Sequence, residues 1–481
     1  MPDNKREKTL DFDPETLVKT VIAMPLLAQI EADESQLHSV IIDVNIQHAE
    51  GRDAARSKIF TLIDEAIHLV ADRIEQRPNK AKSEGSQQYV YAKLQGKVIR
   101  RVVELDKSRA IYHVWPDFII KAQIWKSVPT VKADAGRRAF AATGKGIIWA
   151  VLDSGIDPTH AHFDKHSNLR DLPAPLKHMD FTQDPPVVVQ DPIDDYGHGT
   201  HVAGIIAGEL ESTATQKPIA IVRERNEKGQ VIYRREDTVG TVFGVAPECK
   251  LVSYKVIDSQ GEGPVSNVIA AIEKIQEING FGRQMIIHGV NLSLGYDFEP
   301  EWFACGQSPV CVEVDRLVRS GVIVVVAAGN TGKGFALTIN DPGNATLAIT
   351  VGSTHRDMPH TYGVSYFSSK GPTGDGRLKP DLVAPGEKIV CCGAGPELDN
   401  FKKKAGIIGQ PGAYYIERSG TSMAAPHVSG IVAGLLSVRR EFIGQPEEIK
   451  RMILASATDL HREPMFQGRG LVDMMRAIQT I

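Results

Sequence analysis

Cysteine is scarce in this chain, which contains only five in 481 residues: Cys249, Cys305, Cys311, Cys391 and Cys392. An odd and sparse set does not resemble the disulfide framework of a secreted protein. A Cys305–Cys311 bridge stays open as an alternative, but we favour free, buried thiols. Together with the lack of a membrane-spanning run and of a secretory signal, described next, this leads us to expect a cytoplasmic protein.

Long apolar runs are also lacking. The longest lies around residues 322–328 and has the length of a strand, whereas a membrane-spanning helix needs about 20 apolar residues. The charged N-terminus, MPDNKREKTLDFDPE, has no apolar stretch behind it that would serve as a secretory signal. We therefore expect no membrane partner.

Neither sign of charge is in excess. The 55 Lys and Arg against 59 Asp and Glu give a net charge of −4, which provides no electrostatic basis for binding nucleic acid. The 42% apolar and 24% charged residues are typical of a folded globular chain. A length of 481 residues exceeds one ordinary core, so we expect two or more folded units.

The composition divides the chain into three parts. Residues 1–36 form a charged extension with one predicted helix, which Asp13 caps and Pro25 ends or kinks. Residues 37–125 form a small α+β domain, and residues 126–481 a larger part richer in glycine. In the small domain the predicted strands are 38–44, 89–94 and 110–120, and the predicted helices are 54–74 and 97–103.

The large part alternates short apolar runs with helical stretches. Its predicted strands are 147–152, 251–257, 285–292, 322–327 and 347–351, and its predicted helices are 198–209, 265–278 and 312–320. This alternation predicts an α/β domain with a doubly wound, mostly parallel sheet and helices on both faces. Ligands bind at the carboxyl ends of such strands, so Asp153, Ser293, Gly295 and Asn330 should meet at that edge.

Three polar residues supply the parts of a nucleophilic site. Asp153 ends an apolar strand, His198 opens a helix in Tyr-Gly-His-Gly-Thr-His, and Ser422 enters another in Gly-Thr-Ser-Met-Ala-Ala. A serine hydroxyl becomes a good nucleophile when a base takes its proton, and that base needs a carboxylate to fix its tautomer. The helix N-terminus at Ser422 adds backbone N–H groups where an oxyanion would develop.

These motifs resemble those of the subtilisin-like serine peptidases. Three signatures agree and follow that family's order of Asp, His and Ser: Val-Leu-Asp-Ser-Gly-Ile-Asp at 151–157, His-Gly-Thr-His-Val-Ala-Gly at 198–204, and Gly-Thr-Ser-Met-Ala-Ala-Pro-His at 420–427. The resemblance covers about 127–481. It implies a serine endopeptidase with Asp153, His198 and Ser422 as its triad, protein or peptide substrates, and no cofactor for the chemistry.

The resemblance also implies roles for other segments. Asn330, in Ala-Ala-Gly-Asn, corresponds to the oxyanion donor, although taken alone it is also a residue that a left-handed turn tolerates. Residues 261–263 correspond to an edge strand that pairs with the substrate backbone, and residues 340–343 to the floor of the first specificity pocket. The residues implied to contact substrate are Gly261, Glu262, Gly263, Ser293, Leu294 and Gly295.

The segment after the His198 helix departs from the family pattern. In secreted relatives it carries a calcium loop, which is replaced here by an insertion at about 210–241. We interpret the insertion as a hairpin with strands at 219–225 and 230–235, and favour a solvated hairpin over an element that docks a partner. Because no calcium loop is recognisable, we assign no metal site, and structural calcium stays open.

Other histidines offer a metal-site alternative. His201 lies one turn after His198, but zinc-binding helices place their histidines at i and i+4 with a glutamate between them. We therefore favour a packed structural histidine, and extend this to His427. For His160, His162 and His166 we favour solvated or structural roles over a metal site.

Residues 37–125 resemble the family's propeptide, chiefly at residues 91–94 and 114–117. This implies that the N-terminal domain inhibits the catalytic domain of its own chain, and that the chain cleaves itself within residues 123–127. The alternative is a permanent regulatory or oligomerisation domain.

Two rival functions would use the same fold. A non-catalytic binding module would be expected to have lost a triad member, and none is lost. A peptide ligase or cyclase would pass the acyl group to an amine, whereas hydrolysis is favoured because it needs no exclusion of water.

Overall fold

The computed structural model describes residues 18, 20–72, 76–80, 83, 86, 88–116, 127–213, 216–226, 229–237, 240–297, 304–333 and 336–480. The chain divides into two compact units, residues 1–121 and 122–481.

The N-terminal unit contains a four-stranded antiparallel sheet. Its strands are β1 (Leu37–Val44), β2 (Arg77–Pro78), β3 (Tyr89–Gln95) and β4 (Ile111–Pro116), and its helices are α1 (Met24–Ala32), α2 (Arg52–Val70) and α3 (Gly96–Leu105). The strand order is β2-β3-β1-β4. Alternate residues of β1, such as Val40 and Ile42, share one core with the buried faces of all three helices. The helices therefore cover one face of the sheet.

Two expectations for this unit were wrong. Residues from 18 onwards do not form a separate extension, because Val18, Ile22, Leu26, Leu27 and Ile30 belong to the same core as the sheet. Pro25 lies in the first turn of α1, where no backbone N–H is needed, and does not end a helix there. The short strand β2 lies between α2 and β3. The helix predicted from Asp13 falls mostly outside the described residues.

The C-terminal unit contains many more strands and helices. Its strands are β5 (Ile148–Asp153), β6 (His178–Asp180), β7 (Val187–Val189), β8 (Glu209–Glu211), β9 (Pro218–Arg225), β10 (Val231–Asp237), β11 (Thr241–Phe243), β12 (Lys250–Lys255), β13 (Gly289–Leu292), β14 (Ile323–Ala327), β15 (Ile349–His355), β16 (Leu382–Glu387), β17 (Ile389–Cys392) and β18 (Ala413–Arg418). Its α-helices are α4 (Ser127–Thr130), α5 (Ala133–Phe140), α6 (His198–Ile206), α7 (Val265–Ile278), α8 (Pro309–Arg319), α9 (Pro359–Tyr362), α10 (Gly395–Lys404), α11 (Thr421–Val438), α12 (Pro446–Ser456), α13 (Pro464–Gln467) and α14 (Met474–Gln479). Short 3-10 helices cover Ala161–Phe163, Gly280–Gly282 and Arg440–Phe442.

An eight-stranded sheet forms the centre of this unit. Its order is β16-β15-β14-β13-β5-β12-β6-β7, and all neighbours are parallel except β6 and β7. Trp149 and Val151 of β5 pack in the core that contains α6 and α11, whereas Ala150 and Leu152 pack with α7 and α8 on the other face. The predicted doubly wound α/β fold, with helices on both faces of the sheet, is confirmed.

Helix α11 is long and apolar enough to cross a membrane by length and composition alone. Within the fold 83% of it is buried, as in the core helix of a globular domain. It packs against the central sheet and presents its N-terminus at the edge where β13 and β14 end.

The inserted segment forms two antiparallel strands, β9 and β10. Strand β9 also pairs in parallel with β18, so that a second sheet has the order β10-β9-β18-β17. Residues 218–222 are buried, whereas β10 is largely exposed at the sheet edge. The first strand is thus part of the domain's core, and the expectation of a wholly solvated hairpin was wrong.

The five cysteines all have free thiols, and four of them are buried. Burial raises the pKa of the Cys249 and Cys311 thiols well above the ordinary range for cysteine, which makes both poor nucleophiles. The expectation of free thiols is confirmed, although Cys305 is partly exposed.

Candidate active site

The last residue of β5 carries a fully buried carboxylate, Asp153. Its Oδ1 lies 2.7 Å from Nδ1 of His198 and accepts a hydrogen bond of 2.8 Å from the N–H of Ser154. A carboxylate in this position favours the histidine tautomer with its proton on Nδ1. That tautomer leaves Nε2 of His198 available as a base.

The helix that begins at His198 is capped by a buried aspartate, Asp194. Its carboxylate accepts hydrogen bonds from the N–H groups of Gly197 (2.6 Å) and Thr200 (2.8 Å), and from the Thr200 hydroxyl (2.6 Å). It also accepts one from the Ser154 hydroxyl (2.8 Å), which in turn accepts from the Gly199 N–H (2.9 Å). A negative group at a helix N-terminus satisfies otherwise unpaired donors and is favoured by the helix dipole. This network joins the two segments that carry Asp153 and His198.

Sequence reasoning missed Asp194. The available signal was an aspartate four residues before His198, in Asp-Asp-Tyr-Gly-His, where a helix cap is expected. The close approach of the same two segments also explains Gly199, where a Cβ would lie 2.1 Å from the carbonyl oxygen of Gly155.

The third candidate, Ser422, is the second residue of α11. The neighbouring Thr421 donates two hydrogen bonds to Oδ1 of Asn330, from its N–H (2.8 Å) and its hydroxyl (3.1 Å). Because two donors face that oxygen, the carboxamide of Asn330 is oriented with its Nδ2 on the other side. Within the described chain Nδ2 has no protein acceptor, so it is available to donate to a ligand.

One cavity of about 330 Å³ brings the candidates together. His198, Ser422 and Asn330 line it, and so do Gly261 and the segment Ser293–Gly295. Asp153 lies behind His198 and does not line the cavity. The arrangement places a base, a hydroxyl and an amide donor around one volume that can hold a peptide group.

The segment at 261–263 differs from the expectation. It is not a strand: Gly261 has a φ of +80°, and its N–H closes a turn onto the carbonyl of Asp258 (3.1 Å). Hydrogen bonds from the N–H groups of Gln260 and Glu262 lower the pKa of the Asp258 carboxyl. Gly261 lines the cavity, but Glu262 and Gly263 do not.

Ser293 supports the nucleophile segment through its side chain. Its hydroxyl donates to the backbone carbonyl of Ser422 (2.8 Å) and accepts from Nδ2 of Asn291 (2.8 Å). Oδ1 of Asn291 in turn accepts from Ser429 on α11 (2.9 Å). The backbone of Ser293 is therefore the part that can meet a substrate, while its hydroxyl orients the helix start.

Two polar residues of the segment expected to form the pocket floor, Asn340 and Asp341, face different surroundings. Asn340 lines the cavity, donates from Nδ2 to Oδ1 of Asp297 (3.1 Å) and accepts from the Thr331 hydroxyl (3.0 Å). Asp341 points into the protein and accepts from Nδ2 of Asn344 (2.8 Å). Of the two, Asn340 is the residue that faces the cavity.

The carboxylate that follows α6 in the sequence is paired with nitrogen donors. Glu209, at the start of β8, accepts hydrogen bonds from Nζ of Lys165 (2.7 Å) and Nε2 of His166 (2.8 Å). Calcium requires six to eight oxygen ligands, and nitrogen donors occupy this carboxylate instead. Over the described ranges of the chain, no group of three or more His, Cys, Asp or Glu side chains is arranged to hold a metal ion.

We expect Glu209→Gln to reduce the change in the free energy of unfolding between about pH 4.5 and pH 2. The hydrogen bond from His166, with that from Lys165, lowers the pKa of Glu209 to about 2. The ionised Glu209 therefore contributes fully to the free energy of unfolding above about pH 4.5, and this contribution is lost as the pH falls towards 2. Urea unfolding should show a loss of about 2 kcal/mol at pH 7, which shrinks as the pH falls. The exposed Glu211 of the same strand gives the control variant, Glu211→Gln, and an equal loss there would contradict the expectation.

The remaining histidines have structural partners. Ring nitrogens of His160, His162, His201 and His427 pair with the backbone carbonyls of Tyr414, Gly204, Ile416 and Met423 at 2.8–3.2 Å. Burial lowers the pKa of all four and takes that of His162 to about 3, so they stay neutral at pH 7. His166 pairs with Glu209.

Comparison with known proteins gives a consistent set of similarities. A model described as the subtilase family matches residues 144–470. The chain is 31% identical over 353 residues to Serine protease AprX of Bacillus subtilis (strain 168), covering 71% of this chain and 68% of that protein. It is 28% identical over 385 residues to Subtilisin E of the same strain, covering 79% and 78%. It is also 32% identical over 328 residues to Pyrolysin of Pyrococcus furiosus, covering 60% of this chain and 21% of that protein.

Proposed function

Because the chain belongs to the subtilase family and is a serine endopeptidase, we propose that Asp153, His198 and Ser422 form its catalytic triad. The observation that carries the proposal is the 2.7 Å contact between Asp153 Oδ1 and His198 Nδ1, beside a cavity that His198 and Ser422 line together. The order of these residues along the chain also agrees with the family motifs.

In the proposed mechanism, Nε2 of His198 takes the proton of the Ser422 hydroxyl as Oγ attacks the substrate carbonyl. Asp153 stabilises the imidazolium that forms and keeps the ring in place. The histidine then gives the proton to the leaving amine, and an acyl group remains on Ser422. Water, activated by the same histidine, releases the acid product.

Asn330 supplies the side-chain donor of the oxyanion hole in this proposal. Its Nδ2 is free to donate because Thr421 occupies its oxygen, and the N-terminus of α11 adds backbone N–H groups beside Ser422. Both are fixed before substrate arrives, so they need no rearrangement when charge develops.

Digestion of a proteome-derived peptide library, read by mass spectrometry, tests the reaction. Hydrolysed peptides support an endopeptidase, whereas joined peptides would assign the chain to the ligase or cyclase alternative. A fluorophosphonate probe should label one residue of the protein, and peptide mapping should find the label on Ser422. A label elsewhere would contradict the proposed triad.

Asn330→Ala should lower kcat by about 10²–10³, the loss known for the equivalent donor in a relative. KM should change little, because the donor acts mainly in the transition state. Asn330→Asp is the matched variant: it keeps an acceptor for Thr421 but removes the donor, so it should lose at least as much turnover. If Asn330→Asp kept full turnover, Asn330 would have only the structural role of holding Thr421.

We further propose that the N-terminal unit restrains the enzyme as an intramolecular inhibitor. Helices cover one face of its sheet, and the other face carries Tyr91, Ile41 and Trp115 at paired positions of three strands. The residues that would lead from this unit into the cleft, 117–126, lie outside the described residues. The five free thiols support the cytoplasmic location that we propose, where an unrestrained peptidase would harm the cell.

A separate N-terminal polypeptide tests this proposal. We expect residues 1–121 to inhibit the C-terminal unit, and the intact chain to cleave itself within residues 123–127 while Ser422→Ala stays full length. The fragment begins before Val18 because that residue belongs to the unit's core. If fully active enzyme still begins near Met1 and the fragment does not inhibit, the unit is a permanent domain.

A further inference from the structure

A second groove, of about 1320 Å³, lies between the inserted hairpin and the segment that leads to Ser422. Arg225, Val231 and Ile232 line it on the hairpin, and Lys388 and Ser419 line the opposite wall. It shares no lining residue with the cavity that contains His198, Ser422 and Asn330.

The groove adjoins the proposed nucleophile. Ser419 lies three residues before Ser422, which limits the distance between their backbones to about 10 Å. The Ser419 hydroxyl accepts from the Lys388 N–H (2.9 Å), and the Gly420 N–H donates to the Gly386 carbonyl (2.8 Å), so this wall is fixed to the end of β16. We take the cavity that Asn330 and Asn340 line to hold the acyl half of a substrate. A separate groove next to the nucleophile segment is placed to receive the leaving half.

The hairpin wall has the features of a peptide-binding surface. Val231 is 55% exposed and Ile232 is 41% exposed, and both belong to β10 at the edge of its sheet. In the part of the chain that the structure describes, no further strand pairs with the outer edge of β10. An exposed edge strand offers unpaired backbone donors and acceptors to an extended polypeptide, and the two apolar side chains at the start of β10 add contact surface.

The charges of the groove favour an acidic occupant. Three glutamates line the groove. Glu417 lies 3.7 Å from Arg223, Glu224 accepts from Arg234 (2.8 Å), and Glu387 accepts from the Ser365 hydroxyl (3.0 Å). Arg225, Lys388 and Lys404 also line the groove and form no ion pair with a described carboxylate, so its four cations outnumber its three glutamates. Cations without local partners attract acidic side chains, most strongly at low salt.

We propose that the inserted hairpin is the leaving-group wall of an extended substrate groove, which selects polypeptides with apolar and acidic residues beyond the scissile bond. This inference rests on the proposed function and goes beyond it, because it assigns a role to a segment that the three catalytic motifs do not include. Strand β9 is built into the core through β18, which gives the wall a rigid base.

Two substrates with the same acyl half test the proposal. One ends in p-nitroaniline, and the other continues for six residues that include Leu, Val, Asp and Glu. The double variant Val231→Ser/Ile232→Ser should lower kcat/KM for the extended substrate by about ten-fold relative to the short one. The matched control is Val187→Ser/Val188→Ser, two adjacent valines exposed by 41% and 61% on β7, the edge strand of the large sheet. This control should leave the ratio of kcat/KM for the extended substrate to kcat/KM for the short one unchanged. An unchanged ratio in the hairpin variant, or an equal fall in the control, would overturn the inference.

The charge component has its own test. Substrates with acidic leaving segments should be cut about three-fold faster than matched lysine-containing ones at low salt, and Arg225→Gln should reduce this preference. Equal rates for both substrates would overturn the acidic preference.

A binding measurement separates this inference from the proposed chemistry. Fluorescence anisotropy of a labelled extended peptide on Ser422→Ala, with and without the hairpin substitutions, needs no turnover. Weaker binding with the hairpin substitutions supports the groove even if the triad is wrong. Equal binding overturns the groove even if the triad is right.

Discussion

Ser422→Ala should abolish hydrolysis and fluorophosphonate labelling, with a loss of turnover on the order of 10⁶, as for the equivalent serine in a relative. The expected loss is large because the substitution removes the atom that forms the acyl-enzyme, and water alone does not replace it. Steady-state kinetics and gel-based labelling measure the two effects.

The structure supplies a matched control on the same helix. Ser437 lies near the end of α11, and its hydroxyl donates to the Gly434 carbonyl (2.6 Å), far along the helix from its N-terminus. Ser437→Ala should keep both activity and labelling, and thermal unfolding should show that both variants are folded. Labelling that persisted in Ser422→Ala would place the nucleophile elsewhere.

The placement of the candidate site followed from local patterns. Apolar runs of strand length end at Asp153, before Ser293 and before Asn330, and parallel strands bring their carboxyl ends to one edge. The glycine-rich entries at His198 and Ser422 correspond to helix starts. Because these signals are short-range, the sequence was sufficient to predict that His198, Asn330 and Ser422 lie together. It also placed Glu262 and Gly263 at the cavity, which they do not line.

Contacts between segments far apart in the sequence could not be predicted from local patterns. The pairing of β9 with β18 joins segments almost 200 residues apart, and no local pattern specifies such a partner. Strand β13 was predicted to begin at Met285, but it begins at Gly289. At this position the ring of Trp149, from β5, occupies the space that a Cβ of residue 289 would need. The cap at Asp194 likewise depends on Ser154, which comes from another segment. These features depend on which elements meet in three dimensions.

Asp153→Asn should lower kcat on the order of 10⁴, the scale known for loss of the triad aspartate in a relative. The local geometry indicates why. Oδ1 accepts from both Ser154 N–H and His198, so an asparagine would keep its oxygen there and turn its NH₂ to the position of Oδ2. Oδ2 is buried and has no hydrogen-bond partner among the described residues.

The asparagine would thus preserve the histidine tautomer but lose the negative charge that stabilises the imidazolium. Asp153→Ala should lose at least as much, because it removes orientation as well as charge. The control is Asp157→Asn in the same motif, whose Oδ1 accepts from Thr159 and which does not touch His198. Pre-steady-state acylation rates should fall in both Asp153 variants and stay near normal in Asp157→Asn. If Asp153→Asn acylated at more than a tenth of the normal rate, the buried charge would have no essential role, and orientation of His198 alone would explain the contact.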